Sequence, residues 1–301
     1  MKLFSKIILA ITLLFFVSTA NAQREKSSNK KQKDSKNDTW LWEISGNGLK
    51  QKSYLYGTMH MMCADDFTIS DSLRAKMNKS EQLVLEVVDA DNPMNVMVLM
   101  QAMAMKGKTL QDFYTEAEYN ELNNFFVDSL GTDIEQLSSF SPFFSIIAMM
   151  PLQLGCMDIK SYETELTQLA RSNNKEVKEL ETIQFQVSLF DTIPYAIQAK
   201  ELLRSVREWT KEKQLFGEMV SIYKNKEMDK VMIFARSNFG ALTEYWDIFL
   251  KNRNENWIPK IKAMTAEKST LFAVGAAHLA GDYGVINLLR KAGYTVNPVK
   301  D

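Results

Sequence analysis

Histidine is almost missing from this chain, with two in 301 residues. Cysteine is as scarce, proline occurs six times, and beyond residue 17 no apolar run is long enough to cross a bilayer. Each shortage excludes something. Two cysteines cannot make the disulfide framework of a small secreted scaffold. Gly-x-Ser-x-Gly, the P-loop pattern, Gly-x-Gly-x-x-Gly and His-Glu-x-x-His are absent, which disfavours an elbow serine hydrolase, nucleotide binding and the commonest zinc-protease helix. Net charge is only −1. Residues 1–38 carry an excess of bases over acids, so the rest is mildly acidic, which argues against nucleic acid as the main partner.

What is present begins with an address. Lys2 and Lys6, the apolar run Ile7–Val17 and Ala20-Asn-Ala22 form a secretory signal pattern over residues 1–22. Residues 23–38 are rich in Lys, Ser and Asn and lack apolar side chains, so a disordered linker is expected there. Residues 39–301 then read as one domain, periplasmic or secreted after cleavage and without a stable membrane span. An exported chain can pair Cys63 with Cys156. Cys63 also lies three residues after His60, where His-x-x-Cys could bind a metal; a small half-buried side chain past a strand end is the favoured reading.

The two histidines share one local pattern. Ser53-Tyr-Leu-Tyr-Gly57-Thr-Met-His60 returns near the other end as Leu271-Phe-Ala-Val-Gly275-Ala-Ala-His278. Each is a short apolar run followed by Gly-x-x-His. Trp40–Ile44, Ser53–Tyr56, Glu81–Val88, Glu176–Glu181, Thr270–Val274 and Tyr294–Pro298 read as strands. Most of the chain between has helical patterning, including Glu116–Leu130 before Gly131 and one long segment, Tyr195–Lys226. Leu242–Arg253 and Trp257–Ala266 read as separate helices. Met94, Met97, Met100 and Met103 recur every three residues, a stripe that could bind copper or a peptide and is more often core.

The expected fold is α/β (α+β). A central mixed or parallel sheet comes from the N- and C-terminal segments, with a large, mainly helical insertion between them. The closing strand–loop–helix–strand run implies parallel pairing of its two strands.

Ligands of open α/β sheets lie beyond the carboxyl ends of strands, where both histidines fall. Glu86 sits in an apolar run, and a buried carboxylate needs a partner. Two imidazoles and a carboxylate are a known set for catalytic zinc or non-haem iron. The same residues could activate water by general-base catalysis without a metal.

Tyr54-Leu-Tyr-Gly57-Thr-Met-His60, Leu83-Val-Leu-Glu86, Lys178-Glu-Leu-Glu181-Thr with Gln186, Arg253-Asn254-Glu-Asn-Trp257 and Val274-Gly275-Ala-Ala-His278-Leu-Ala-Gly281-Asp-Tyr-Gly284 occur in an order that resembles the TraB/GumN family, which includes the TIKI proteases. The resemblance spans Trp40–Pro298. It extends distantly to erythromycin-esterase-like and haem-binding ChaN-like proteins. It implies a metal-dependent hydrolase, foremost a peptidase acting on a peptide or small-molecule substrate, with a divalent metal (manganese, cobalt or zinc). His60, Glu86 and His278 would then hold the metal or activate water. Arg253 and Asn254 would line the site, and Glu181 could pair with Arg253. The rival reading is a non-catalytic binding protein for a peptide or a cofactor such as haem.

Overall fold

A computed structural model describes residues 39–90 and 92–300; the expected signal peptide and linker lie outside them. Among the described residues eight strands form: β1 (Leu41–Gly46), β2 (Ser53–Thr58), β3 (Met62–Cys63), β4 (Gln82–Leu85), β5 (Ile159–Lys160), β6 (Glu176–Glu179), β7 (Thr270–Gly275) and β8 (Tyr294–Pro298). Six make one mixed sheet in the order β6-β4-β7-β2-β1-β8, and β3 pairs with β5. The α/β expectation, a sheet drawn from both chain ends around a mainly helical insertion, is borne out.

The strands form where their sequences suit them. β2 and β7 are buried at every position, which suits continuous apolar runs rather than alternating ones. They pair in parallel from Tyr54↔Leu271 to Thr58↔Gly275. β1 reverses into β2 through Gly46, Asn47 and Gly48, whose φ angles of 77°, 48° and 78° need residues tolerant of the left-handed region. β8 runs antiparallel to β1, which is antiparallel to β2. β7 and β8 are therefore parallel, but β2 and β1 lie between them. The expected direct pairing is corrected: a short helix, Val285–Lys291, carries the chain past two strands already in place.

The chain divides into two compact units, each assembled from separated segments. The first contains Met59–Phe67 and Leu83–Glu218. Its helix Pro142–Gln153 is buried at ten of its twelve positions, so it is a core helix rather than an amphipathic one. Gln198, on the packed helix Tyr195–Arg207, satisfies three backbone groups of this core: it donates to Phe190 O and Ile193 O and accepts from Phe143 N. Helix Glu116–Leu130 has the expected bounds, set by a Thr115–Glu118 capping box and by Gly131 at φ 65°.

Two expectations fail in this unit. The methionine stripe on helix Pro93–Met103 is not core: Met94 and Met97 are 65% and 50% exposed, and only Leu99 and Met103 are buried. A three-residue repeat drifts around a helix of 3.6 residues per turn, so the stripe cannot keep one face inward. The long segment from Tyr195 splits at Glu208 into helices Tyr195–Arg207 and Trp209–Lys224.

The second unit contains residues 39–58, Thr68–Gln82 and 219–300, and the paired strands β1, β2, β7 and β8 lie in it. Helix Asp71–Lys79 begins at Ser70, whose side chain accepts from Leu73 N. One helix, Lys251–Glu267, replaces the expected break after Arg253 and runs through Pro259. Proline there forgoes one backbone bond, and buried Trp257 and Ile261 flank it on the packed face.

Candidate functional site

His278 lies in the second unit, on a single turn, Ala276–His278, directly after β7. It is fully buried. Helix Lys251–Glu267 supplies its partners. Asn254 Nδ2 donates to His278 O (3.2 Å) and to Tyr283 O (2.8 Å). With the amide nitrogen committed to two carbonyls, Asn254 Oδ1 must be the atom facing His278 Nδ1 at 2.6 Å. Nδ1 therefore carries the ring proton. Nε2 then accepts from Arg253 Nη1 at 3.2 Å, and the same Nη1 donates to Phe249 O at 3.1 Å. The Trp257 ring lies 4.4 Å from the imidazole and 5.1 Å from the guanidinium carbon. Arg253 and Asn254, expected to line the site, are brought to His278 by adjacent positions of one helix.

β2 explains the glycine of the other motif. A Cβ on Gly57 would stand 2.6 Å from Leu279 Cδ1 and 3.2 Å from the backbone of Ala276. Tyr223 donates to Gly57 O (2.8 Å) and stacks on Trp40 at 4.9 Å. The glycine is there for close packing, with no need for an unusual dihedral.

His60, in the first unit, has a side chain only 7% exposed. Its Nδ1 lies 2.7 Å from Glu163 Oε1. Glu163 stands in the first turn of helix Tyr162–Ser172, and Ser161, the cap of that helix, donates to Glu163 Oε2 at 2.7 Å. The ladder Met62↔Lys160 and Cys63↔Ile159 ties the two segments together. A Cys63–Cys156 disulfide closes the same region. The disulfide removes Cys63 as a metal ligand, so His-x-x-Cys carries no metal site here.

Glu86 follows β4 and is 3% exposed. Gln186 Nε2 lies 3.3 Å from both Glu86 Oε2 and Glu181 Oε2. Glu181 N donates to Glu86 O at 2.9 Å. Glu181 therefore stands beside Glu86 within this unit, two buried carboxylates sharing one amide donor.

A divalent metal fits these residues unevenly. His60 suits one, because metal-bound histidines commonly donate their second N–H to a carboxylate. His278 does not: Asn254 Oδ1 takes one ring nitrogen and a guanidinium faces the other. Among the described residues no group of three or more His, Cys, Asp or Glu side chains is arranged to hold a metal ion.

Comparison with protein families matches residues 40–298 to the TraB/PrgY/gumN family. The chain belongs to this family. The match takes in both Gly-x-x-His segments, Glu86, Glu181, Arg253 and Asn254. No curated protein and no solved structure matches the chain. Sequence reasoning missed Glu163 and Ser161. Ser161-Tyr-Glu163 carries only a generic helix-start signal, and nothing in it points to His60.

Proposed function

We propose that this family member is an exported hydrolase, with peptides as its first substrate class, and that His60 and Glu86 supply its acid–base groups. The reading rests on one observation above others. The only two imidazoles are both buried just beyond strand ends, and each has a ring nitrogen fixed by a polar partner. Burial of ionisable side chains is costly unless they are used or paired. In the second unit, His278 Nε2 and Phe249 O hold the Arg253 guanidinium, which stays charged at any working pH. The disulfide and the signal pattern support export. Among the described residues no helix is long and apolar enough to cross a membrane.

Manganese, cobalt or zinc would polarise a carbonyl and acidify water. His60 and Glu86 are the side chains suited to contribute ligands. The surroundings of His278 do not suit a cation. In the chain's own chemistry, His60 takes a proton from water as it attacks the peptide carbonyl, then returns it to the leaving amine.

Exposed Met94 and Met97 favour a second reading, a binding module that holds a peptide on the face of helix Pro93–Met103. One experiment separates the two. The purified chain is incubated with a peptide library, with and without each metal, alongside His60→Ala and Glu86→Ala. The hydrolase reading expects cleavage that both substitutions abolish. Saturable peptide binding without cleavage under every metal condition would sink it and support the binding module.

A further inference from the structure

We infer that Glu163 is the positioning residue for His60: it fixes the proton on Nδ1 and so makes Nε2 the basic nitrogen. The two Gly-x-x-His segments, alike in sequence, then do different work.

The argument starts from donors and acceptors. Both oxygens of Glu163 are used as acceptors, Oε1 by His60 Nδ1 and Oε2 by Ser161 Oγ. Ser161 Oγ can donate there because its acceptor role, towards Thr164 N, uses a lone pair and not the proton. A carboxylate held as a double acceptor forces a proton onto the facing ring nitrogen. The contact is short, at 2.7 Å, and Glu163 is itself only 13% exposed, so water competes weakly for either group. The sequence distance of 103 residues between the partners is closed by the β3–β5 ladder and the disulfide, both within the same unit. This is a built arrangement, not a flexible surface pair.

His278 has the same tautomer from a different cause. A neutral amide oxygen holds its Nδ1, and a guanidinium sits at its Nε2. That Nε2 already accepts from the guanidinium at 3.2 Å. With its Nδ1 proton held by Glu163, His60 has Nε2 as its acceptor nitrogen, whereas on His278 that nitrogen faces a cation. His60 is the chemical member of the pair, and His278 is a strut for Arg253.

The catalytic consequence rests on the proposed function; the tautomer does not. Nitrogen-15 NMR of the full-length chain at fixed pH reads it directly, because only two imidazoles contribute and His60→Asn assigns them by subtraction. The wild type is expected to show a pyrrole-like Nδ1 and a pyridine-like Nε2 for His60. Glu163→Ala should move the two shifts towards each other or exchange them, as the proton returns to Nε2. Glu163→Gln, which keeps an oxygen acceptor, should restore the wild-type pattern. If peptide cleavage is found, Glu163→Ala should lower kcat about 10–100-fold with KM little changed. A wild-type His60 carrying its proton on Nε2 overturns the inference, whether or not any variant folds. So does an unchanged pattern in a folded Glu163→Ala. Should the wild type cut no peptide, the hydrolase reading fails alone, and the NMR pattern still decides the role of Glu163.

Discussion

Burial and charge conflict most sharply at Glu212. Its side chain is fully buried, and Arg204 serves it together with Glu201 and Glu208. Lys211 also reaches Glu208, at 3.4 Å, but Arg204 is shared between the two buried carboxylates Glu201 and Glu212. Burial pushes the Glu212 carboxyl up to about 7, against the opposing pull of Arg204. The sign follows from linkage. The folded state holds this proton up to about pH 7, while the unfolded state releases it near the ordinary glutamate value of 4.5. Between those values the folded state binds more protons, so stability falls as pH rises through that window and is flat above it. The loss is on the order of 3 kcal/mol, at about 1.4 kcal/mol per unit. Glu212→Gln should therefore be neutral near pH 4.5 and stabilising at pH 8, measured by urea unfolding at both. Equal effects at the two values would show that Glu212 is ionised throughout. At this scale the sequence disclosed what was rare and hid what was common. His60 and His278 stand out because there are only two such residues. Glu163 is one of many glutamates, and its meaning comes from a partner 103 positions away.

At the scale of elements, chemistry written next to the element was legible. Glu116–Leu130 has the bounds that Thr115 and Gly131 give it. The break at Glu208 was not, because neither glycine nor proline marks it. Arg204 gathers Glu201, Glu208 and Glu212 across that break, an arrangement periodicity does not show. Two glycines show how context overrides propensity. Gly217 lies inside helix Trp209–Lys224 with nothing within 4 Å of an added Cβ, so Gly217→Ala should stabilise by about 0.5–1 kcal/mol. Gly57 is in β2, where an added Cβ would overlap Leu279 and crowd backbone. Gly57→Ala should cost about 1–3 kcal/mol as overpacking. Denaturant midpoints of the two variants should move in opposite directions. A shift of the same sign in both would mean that β2 yields enough to admit a methyl group.

For the molecule as a whole, the repeated motif announced that β2 and β7 belong together, and they pair in parallel. The position of β8 was hidden: it pairs with β1, the outer strand of the β1–β2 hairpin, and local patterning does not say which edge a last strand takes. Division into two units was equally hidden, because each unit is stitched from segments far apart in sequence. The disulfide offers a way to address one unit alone. Cys63 and Cys156 are 93 residues apart and both lie in the first unit. Opening so large a loop restores chain entropy to the unfolded state, worth about 2–5 kcal/mol. That cost falls on the unit the bond closes. Hydrogen exchange followed with and without reductant should show faster exchange across Met59–Phe67 and Leu83–Glu218, while amides of β1, β2, β7 and β8 keep their protection. Uniform loss of protection in all segments would mean that the two units unfold as one cooperative body. In that case the bond between Cys63 and Cys156 stabilises the sheet carrying Gly57 and Gly275 as much as the loop carrying His60.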